Sequence, residues 1–141
     1  MGFQFKDNVI HLDITGNKFD VNYTTELIKN SQDFKEKVSL KAKELDESKS
    51  KKEYGRIIDE SIEIMKDAIN LVCGEGATDK IFEGRATNFY DYVDVLNYIQ
   101  EEILNYQQRN GDRFKKYSVN RVQRRQNEHA NRSTSNKRKS R

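Results

Sequence analysis

A short glycine-containing stretch between two long amphipathic segments is the feature that most constrains the fold of this chain. It reads Gly-Glu-Gly-Ala-Thr-Asp-Lys-Ile-Phe and runs from Gly74 to Phe82. Gly74 follows an apolar helical stripe, and a glycine at that position accepts the left-handed backbone that ends a helix. Gly76 lets the chain turn again. Gly84 then ends a single helical turn that carries Ile81 and Phe82.

A phosphate-binding glycine loop is the alternative interpretation of this stretch. Asp79 stands where the third glycine of a dinucleotide fingerprint belongs, and the chain has no Walker lysine pattern. We therefore interpret the stretch as a structural corner between two helices. Its residues are Gly74, Gly76, Ile81, Phe82 and Gly84.

Composition and charge divide the chain into an acidic body and a basic tail. Of the 141 residues, 34% are hydrophobic and 35% are charged, which leaves room for one small core. Residues 1–111 hold 15 Lys and Arg against 21 Asp and Glu, a net charge of −6, whereas residues 112–141 hold 11 against 2, a net charge of +9. From about Gln123 no large apolar residue occurs, so we expect a largely disordered tail.

The chain has no run of about 18 apolar residues and no secretion signal at its start. We therefore expect an intracellular protein without membrane contact. Its one cysteine, Cys73, lies beside apolar residues, where a buried and inert thiol is the ordinary outcome.

The first part of the body alternates between apolar and polar residues in two runs, one on each side of Thr15-Gly16-Asn17. Because a Gly-Asn pair supplies the positive backbone angles of a tight turn, this pattern predicts a β-hairpin over about 3–23. Phe3 and Phe5 also alternate, which makes a third short strand a further candidate. An isolated hairpin is marginal in water, so its apolar face must lie on helices that follow.

Helical periodicity follows the hairpin in four segments. Thr24 or Thr25 caps the first, a polar linker over 46–52 separates it from the second, and Asn88 caps the last, which Asn110-Gly111 ends. The predicted helices cover about 25–47, 52–73, 78–83 and 89–109. The fold class is therefore α+β, mainly α, with one compact domain over 1–111 in which the hairpin packs on three main helices.

Apolar residues recur on one side of each main helix, and the stripe of the second helix is assigned to the core. The first helix presents Leu27, Phe34, Val38, Ala42 and Leu45. The second presents the clearest stripe, namely Tyr54, Ile57, Ile58, Ile62, Met65, Ala68, Ile69 and Val72. In the last helix, Val95 and Tyr98 extend the stripe beyond one packing face; edge packing is the favoured interpretation, and a protein contact surface is the alternative.

The sequence has few residues in arrangements suited to catalysis or metal binding. His11 lies on the exposed side of the hairpin and His129 in the tail, and neither has a rigid setting in which an acid could orient it. Asp59, Glu63 and Asp67 share one helical face, but a metal site would need further ligands, so a solvated acidic face is favoured. We expect no enzymatic activity and no cofactor.

The tail carries clusters of basic residues. They are Arg124, Arg125, Lys137, Arg138, Lys139 and Arg141. Such clusters attract phosphate or an acidic protein surface through salt-sensitive forces. Non-specific polyanion contact and a solubilising end that folds back on the acidic body are equally favoured.

With these elements in place, the chain resembles the tail assembly chaperones of long-tailed, siphovirus-type bacteriophages of Gram-positive hosts. The resemblance rests on the hairpin Val-Ile-His-Leu-Asp-Ile-Thr-Gly-Asn-Lys-Phe-Asp-Val over 9–21, the corner over 74–82, Arg-Ala-Thr-Asn over 85–88 and the helices. It covers roughly residues 5–108.

The resemblance implies a non-enzymatic protein that acts in the cytoplasm of the infected bacterium and is absent from the mature virion. Such chaperones bind the tape measure protein, keep it soluble and help to recruit tail tube subunits. Self-association is a further candidate property. The resemblance adds another, namely a longer form made by translational frameshifting. The competing hypothesis is a small nucleic-acid-associated protein that uses the basic tail as an electrostatic arm, and a regulatory enzyme subunit is a third.

Overall fold

The computed structural model describes residues 2–139, without the side chains of residues 118–123 and 127–139. Within that part of the chain, two strands and four helices follow one another. They are β1 (Val9–Ile14), β2 (Asn17–Asn22), α1 (Thr25–Asp46), α2 (Lys51–Cys73), α3 (Ala77–Ile81) and α4 (Phe89–Lys139). This order confirms the predicted α+β, mainly helical fold with an N-terminal hairpin. None of the described helices combines the length and apolar character needed to span a membrane.

β1 and β2 form an antiparallel hairpin with a two-residue turn. The register runs from Val9 opposite Asn22 to Ile14 opposite Asn17. Thr15 and Gly16 both have positive φ, 54° and 85°, which is the geometry whose twist matches that of the flanking strands. The predicted break at Thr15-Gly16-Asn17 contains this turn. The positive angles belong to Thr15 and Gly16 and not to the Gly-Asn pair, because Asn17 already pairs as the first residue of β2.

The predicted third strand does not form among the described residues. Phe3 and Phe5 are exposed and lie outside any strand, and their rings contact each other edge to face at 5.0 Å. An alternating pattern needs a free strand edge to pair with. On β1 the amide of Asp13 instead donates a hydrogen bond to the hydroxyl of Tyr98 in α4, at 3.1 Å.

α1 and α2 pack as an antiparallel pair with a tight connection. Thr24 accepts a hydrogen bond from the Leu27 amide and caps α1, and Ser50 accepts one from the Glu53 amide and caps α2. The predicted linker over 46–52 is thus only the turn over 47–50. Ser48 fastens this turn, since its hydroxyl donates to the carbonyl of Leu45 at 2.8 Å.

Apolar side chains from every element up to Ile103 contribute to the core. The buried ones are Ile10, Leu12, Ile14, Val21, Leu27, Ile57, Ile62, Met65, Ala68, Ile69, Ala77, Ile81, Tyr92, Ile99 and Ile103. The predicted α2 stripe is largely confirmed, with Tyr54 exposed at its start. The α1 stripe is covered less completely: Leu27 is buried, Phe34, Val38 and Leu45 are half-buried and Ala42 is exposed.

α4 continues beyond its predicted end. The chain divides into two compact units, Met1–Ile103 and Leu104–Arg141, and α4 has residues in both. A glycine inside a helix costs only about 1 kcal/mol relative to alanine, so Gly111 does not stop it, and the Asn110 side chain donates to the carbonyl of Tyr106 at 2.9 Å. The described side chains of 112–117 and 124–126 are exposed, as expected for a segment without core residues.

A small ion-pair network joins α1 to α2 on the surface. Glu60 lies between Lys41 of α1 and Arg56 of α2, with nitrogen to oxygen distances of 2.5 and 2.8 Å. Lys41 also pairs with Glu44 at 3.2 Å. Hydrogen bonds from Lys41 and Arg56 hold the pKa of Glu60 below its ordinary value, and those to Glu60 and Glu44 raise the pKa of Lys41.

This network predicts a contribution to the acid sensitivity of the fold. Because the pKa of Glu60 is lower in the folded chain, its stabilisation is present above the ordinary glutamate pKa and is lost as pH falls through the lowered value. Glu60→Gln should therefore flatten the decline of unfolding free energy between about pH 5 and pH 3, measured by urea unfolding.

Asp59→Asn is the matched control, because Asp59 is exposed on the same helix and has no ion pair with another described residue. It should leave the acid limb unchanged. A Glu60→Gln profile that runs parallel to the wild-type profile throughout this range would contradict the assignment.

Candidate functional site

The corner between α2 and α4 is built on glycines with positive φ. Gly74 ends α2 with φ 113°, and its amide donates to the carbonyl of Asn70 at 2.9 Å. Gly76, with φ 80°, precedes α3, and Gly84 has φ 72°. All three glycines have a backbone angle that other residues rarely adopt; Gly76 lies in the left-handed helical region with ψ 3°, and Gly74 lies outside it with ψ 157°. α3 itself is Ala77–Ile81 instead of 78–83, because Gly76 already serves as its N-terminal flanking residue.

Asn70 fastens the corner, and the sequence reading missed it. Its side-chain oxygen accepts hydrogen bonds from the amide and the hydroxyl of Thr78, at 3.0 and 3.2 Å. Thr78 is only 6% exposed, so both donors would otherwise be buried without a partner. An amide side chain one turn before a glycine helix stop was the available sequence signal.

The hairpin turn reaches the same corner. The Thr15 hydroxyl lies 2.7 Å from the carbonyl of Ile14 and 3.4 Å from that of Ile81. The side-chain amide of Asn17 lies 3.4 Å from the carbonyl of Lys80. The last carbonyls of a helix have no partner within the helix. The turn of the hairpin therefore supplies donors to the C-terminal end of α3.

Aromatic and ionic contacts connect the corner to α4. The rings of Phe82 and Tyr92 lie 4.2 Å apart, and Ile81 is buried. Arg85 pairs with Asp91 through two hydrogen bonds of 2.6 and 3.1 Å, which lower the pKa of Asp91. The five predicted corner residues thus come together as a junction of the fold.

Val95 and Tyr98, the candidate protein contacts, are both half-buried. The hydroxyl of Tyr98 accepts the hydrogen bond from the Asp13 amide, so part of this side chain serves the contact between α4 and β1. Edge packing therefore explains Tyr98 better than an outward contact does.

The ionisable side chains do not converge on a reaction centre in the described part of the chain. The ring of His11 lies 2.7 Å from Asp20 and 3.9 Å from Asp7, on the exposed face of the hairpin. Burial raises the pKa of Cys73 to about 11, which keeps its thiol protonated near neutral pH. Among these residues, no three potential ligands lie close enough to hold a metal ion.

The described part of Leu104–Arg141 presents aromatic and basic side chains to solvent. Phe114 is 77% exposed and Tyr117 is 66% exposed. The exposed basic residues are Arg109, Arg113, Lys115, Lys116, Arg124 and Arg125. The side chains of Lys137, Arg138 and Lys139, and all of Arg141, lie outside the described residues, so their predicted polyanion contact stays a prediction.

The fold and these sites define a mainly helical α+β protein with an N-terminal hairpin and a basic C-terminal helix segment. The model of a family described as "Family of unknown function (DUF6673)" matches residues 15–128, and the chain belongs to this family. Comparisons with curated proteins and with solved structures gave no match.

The Asn70 contact predicts a measurable loss of stability. Asn70→Ala leaves the amide and hydroxyl of Thr78 without their acceptor, so the free energy of unfolding should fall by about 1–3 kcal/mol. Urea unfolding followed by circular dichroism measures the change.

Asp67→Ala is the control for this substitution, because Asp67 lies one turn earlier on the exposed face of α2. Its effect should stay within about 0.5 kcal/mol. Equal effects of the two substitutions would show that Asn70 does not fasten the corner.

Proposed function

We propose that this protein is a non-enzymatic tail assembly chaperone of a long-tailed bacteriophage. In this role it binds the tape measure protein in the cytoplasm of the infected bacterium, keeps it soluble and helps to recruit tail tube subunits. The proposal is supported by the resemblance over residues 9–21, 74–82 and 85–88 and by the mainly helical fold with its N-terminal hairpin.

One observation carries the proposal: Phe114 and Tyr117 form an exposed aromatic pair on α4. The two residues are three positions apart, so they lie on one side of the helix. Neighbouring side chains from Asp112 to Tyr117 are exposed as well, and most of them are charged. An apolar pair in such a setting is typical of a surface that a partner covers.

The acidic body fits the same role. Its net charge of −6 over residues 1–111 favours solubility when the aromatic pair holds a hydrophobic partner. The described residues do not form a catalytic arrangement. His11 is exposed, the half-buried Cys73 has a raised pKa, and the ion pairs lie on the surface. Binding of another polypeptide is therefore favoured over catalysis.

Co-expression with a candidate tape measure protein tests the proposal. The wild-type chain should raise the soluble yield of the tape measure protein and co-purify with it. Phe114→Ser with Tyr117→Ser should lower both by about tenfold, since each substitution removes a large apolar contact. Gel densitometry of the soluble and affinity-purified fractions gives the measurement.

Tyr90→Ser is the control, because Tyr90 is 68% exposed at the start of the same helix. This variant should support the tape measure protein as well as the wild type does. If the wild-type chain neither raises the soluble yield nor co-purifies, the chaperone proposal is wrong.

Nucleic-acid association is the second candidate, and the exposure of Arg124 and Arg125 favours it. In that case purified protein should carry nucleic acid that nuclease removes, and binding should weaken steeply with salt. Under the chaperone proposal, nuclease treatment leaves the complex with the tape measure protein intact.

A further inference from the structure

Four basic residues of α4 form a stripe along one side of the helix. Arg113, Lys116 and Arg124 follow Arg109 by 4, 7 and 15 positions. At about 100° per residue, these spacings place all four within about 80° of the helix circumference and along about 22 Å of its length. All four side chains are exposed. We refer to Arg109, Arg113, Lys116 and Arg124 as the basic stripe.

The aromatic pair borders this stripe on one side. Tyr117 and Phe114 follow Arg109 by 8 and 5 positions, which places them about 80° and 140° around the helix from it. Asp112, the acidic residue of this stretch, falls on the other side of the stripe, at about −60°. The helix therefore presents two exposed aromatic side chains with a positively charged border on one side.

We propose that this combined surface binds an amphipathic helix whose apolar stripe is bordered by Asp or Glu residues. The inference rests on the proposed function and specifies the chemistry of the partner segment. An apolar stripe covers Phe114 and Tyr117, and the acidic border meets the basic stripe. Paired helices are recognised in the same way: apolar residues make the central contacts, and charged residues at the edge determine which helices pair.

Charge complementarity and the aromatic pair together favour a protein helix over a nucleic-acid duplex. The phosphates of a duplex would engage the basic stripe and leave Phe114 and Tyr117 uncovered, because the bases are stacked on one another inside the duplex. Arg113 also donates to the side chain of Asn110 at 3.3 Å, which orients it along the helix. Exposed charge pairs contribute more to partner choice than to affinity, so the decisive measurement is a preference between partners.

Three synthetic helical peptides test this preference. They share one leucine stripe and carry Glu, Gln or Lys along its border, and fluorescence anisotropy measures their binding to the full-length chain. At about 0.05 M salt the Glu peptide should bind about tenfold more tightly than the Gln peptide, and the Lys peptide more weakly than both. At about 1 M salt, where the Debye length is about 3 Å, the three should bind alike.

A charge reversal on the stripe provides the sharper test. Arg109→Glu with Lys116→Glu should reverse the order, so that the Lys peptide binds best. Lys115→Glu with Lys35→Glu is the matched control: it changes the net charge equally, both side chains are exposed, Lys115 falls outside the combined surface by its spacing, and Lys35 lies on α1. This control should keep the wild-type preference, and circular dichroism should show equal helix content in both variants.

Each contrary result has a distinct meaning. Equal binding of the three peptides at low salt would overturn the inference that the partner helix is acidic. It would not affect the co-expression test of the chaperone proposal. Equal loss of preference in both charge variants would show that net charge, and not the stripe, selects the partner. A DNA duplex that displaces the Glu peptide at lower concentration than unlabelled Glu peptide does would overturn the inference in favour of nucleic acid.

Discussion

Burial of the inner face of the hairpin is the constraint on which the rest of the body depends. Two strands alone cannot exclude water from both sides, so Ile10, Leu12 and Ile14 need helices over them. All three are almost completely buried, as is Val21 on the partner strand. α2 contacts β2, and the buried side chains of α2, α3 and the first part of α4 complete the interior. α2, α3 and the first part of α4 therefore each have one apolar side in the core, whereas α1 contributes Leu27.

The corner after α2 makes this arrangement possible. Gly74 and Gly76 let the chain reverse, Asn70 holds the first turn of α3, and Thr15 and Asn17 reach the other end of that helix. The corner is the part of the chain that most resembles a ligand-binding loop, and contacts within the fold occupy it. The described surfaces that remain exposed lie on the helices and on the outer face of the hairpin.

Sequence periodicity predicts the elements well and their junctions less well. The alternating runs, the Thr24 cap and the glycine stop at Gly74 follow local rules that act through neighbouring residues. Asn70 and Thr78 are eight positions apart, and the asparagine one turn before the glycine stop was a local signal for their contact. The pairing of Tyr98 with Asp13 joins residues 85 positions apart, which no local pattern reveals. The partial burial of the α1 stripe could not be predicted either. Apolar spacing shows which side of a helix faces the protein, but not how completely other elements cover that side. The end of α4 was misplaced because Asn-Gly is a weak stop. Arg124 and Arg125 are exposed, and their predicted polyanion contact stays a prediction.

Because the hairpin and the helices share one interior, they should unfold cooperatively. Native-state hydrogen exchange on the full-length chain tests this most directly, because it gives an opening free energy for each amide. We expect the paired amides of β1 and β2 to open with the same free energy as the amides around Met65 and Ile69 in the centre of α2. Hairpin amides that exchange at the rate of an unfolded peptide while the centre of α2 stays protected would contradict the account.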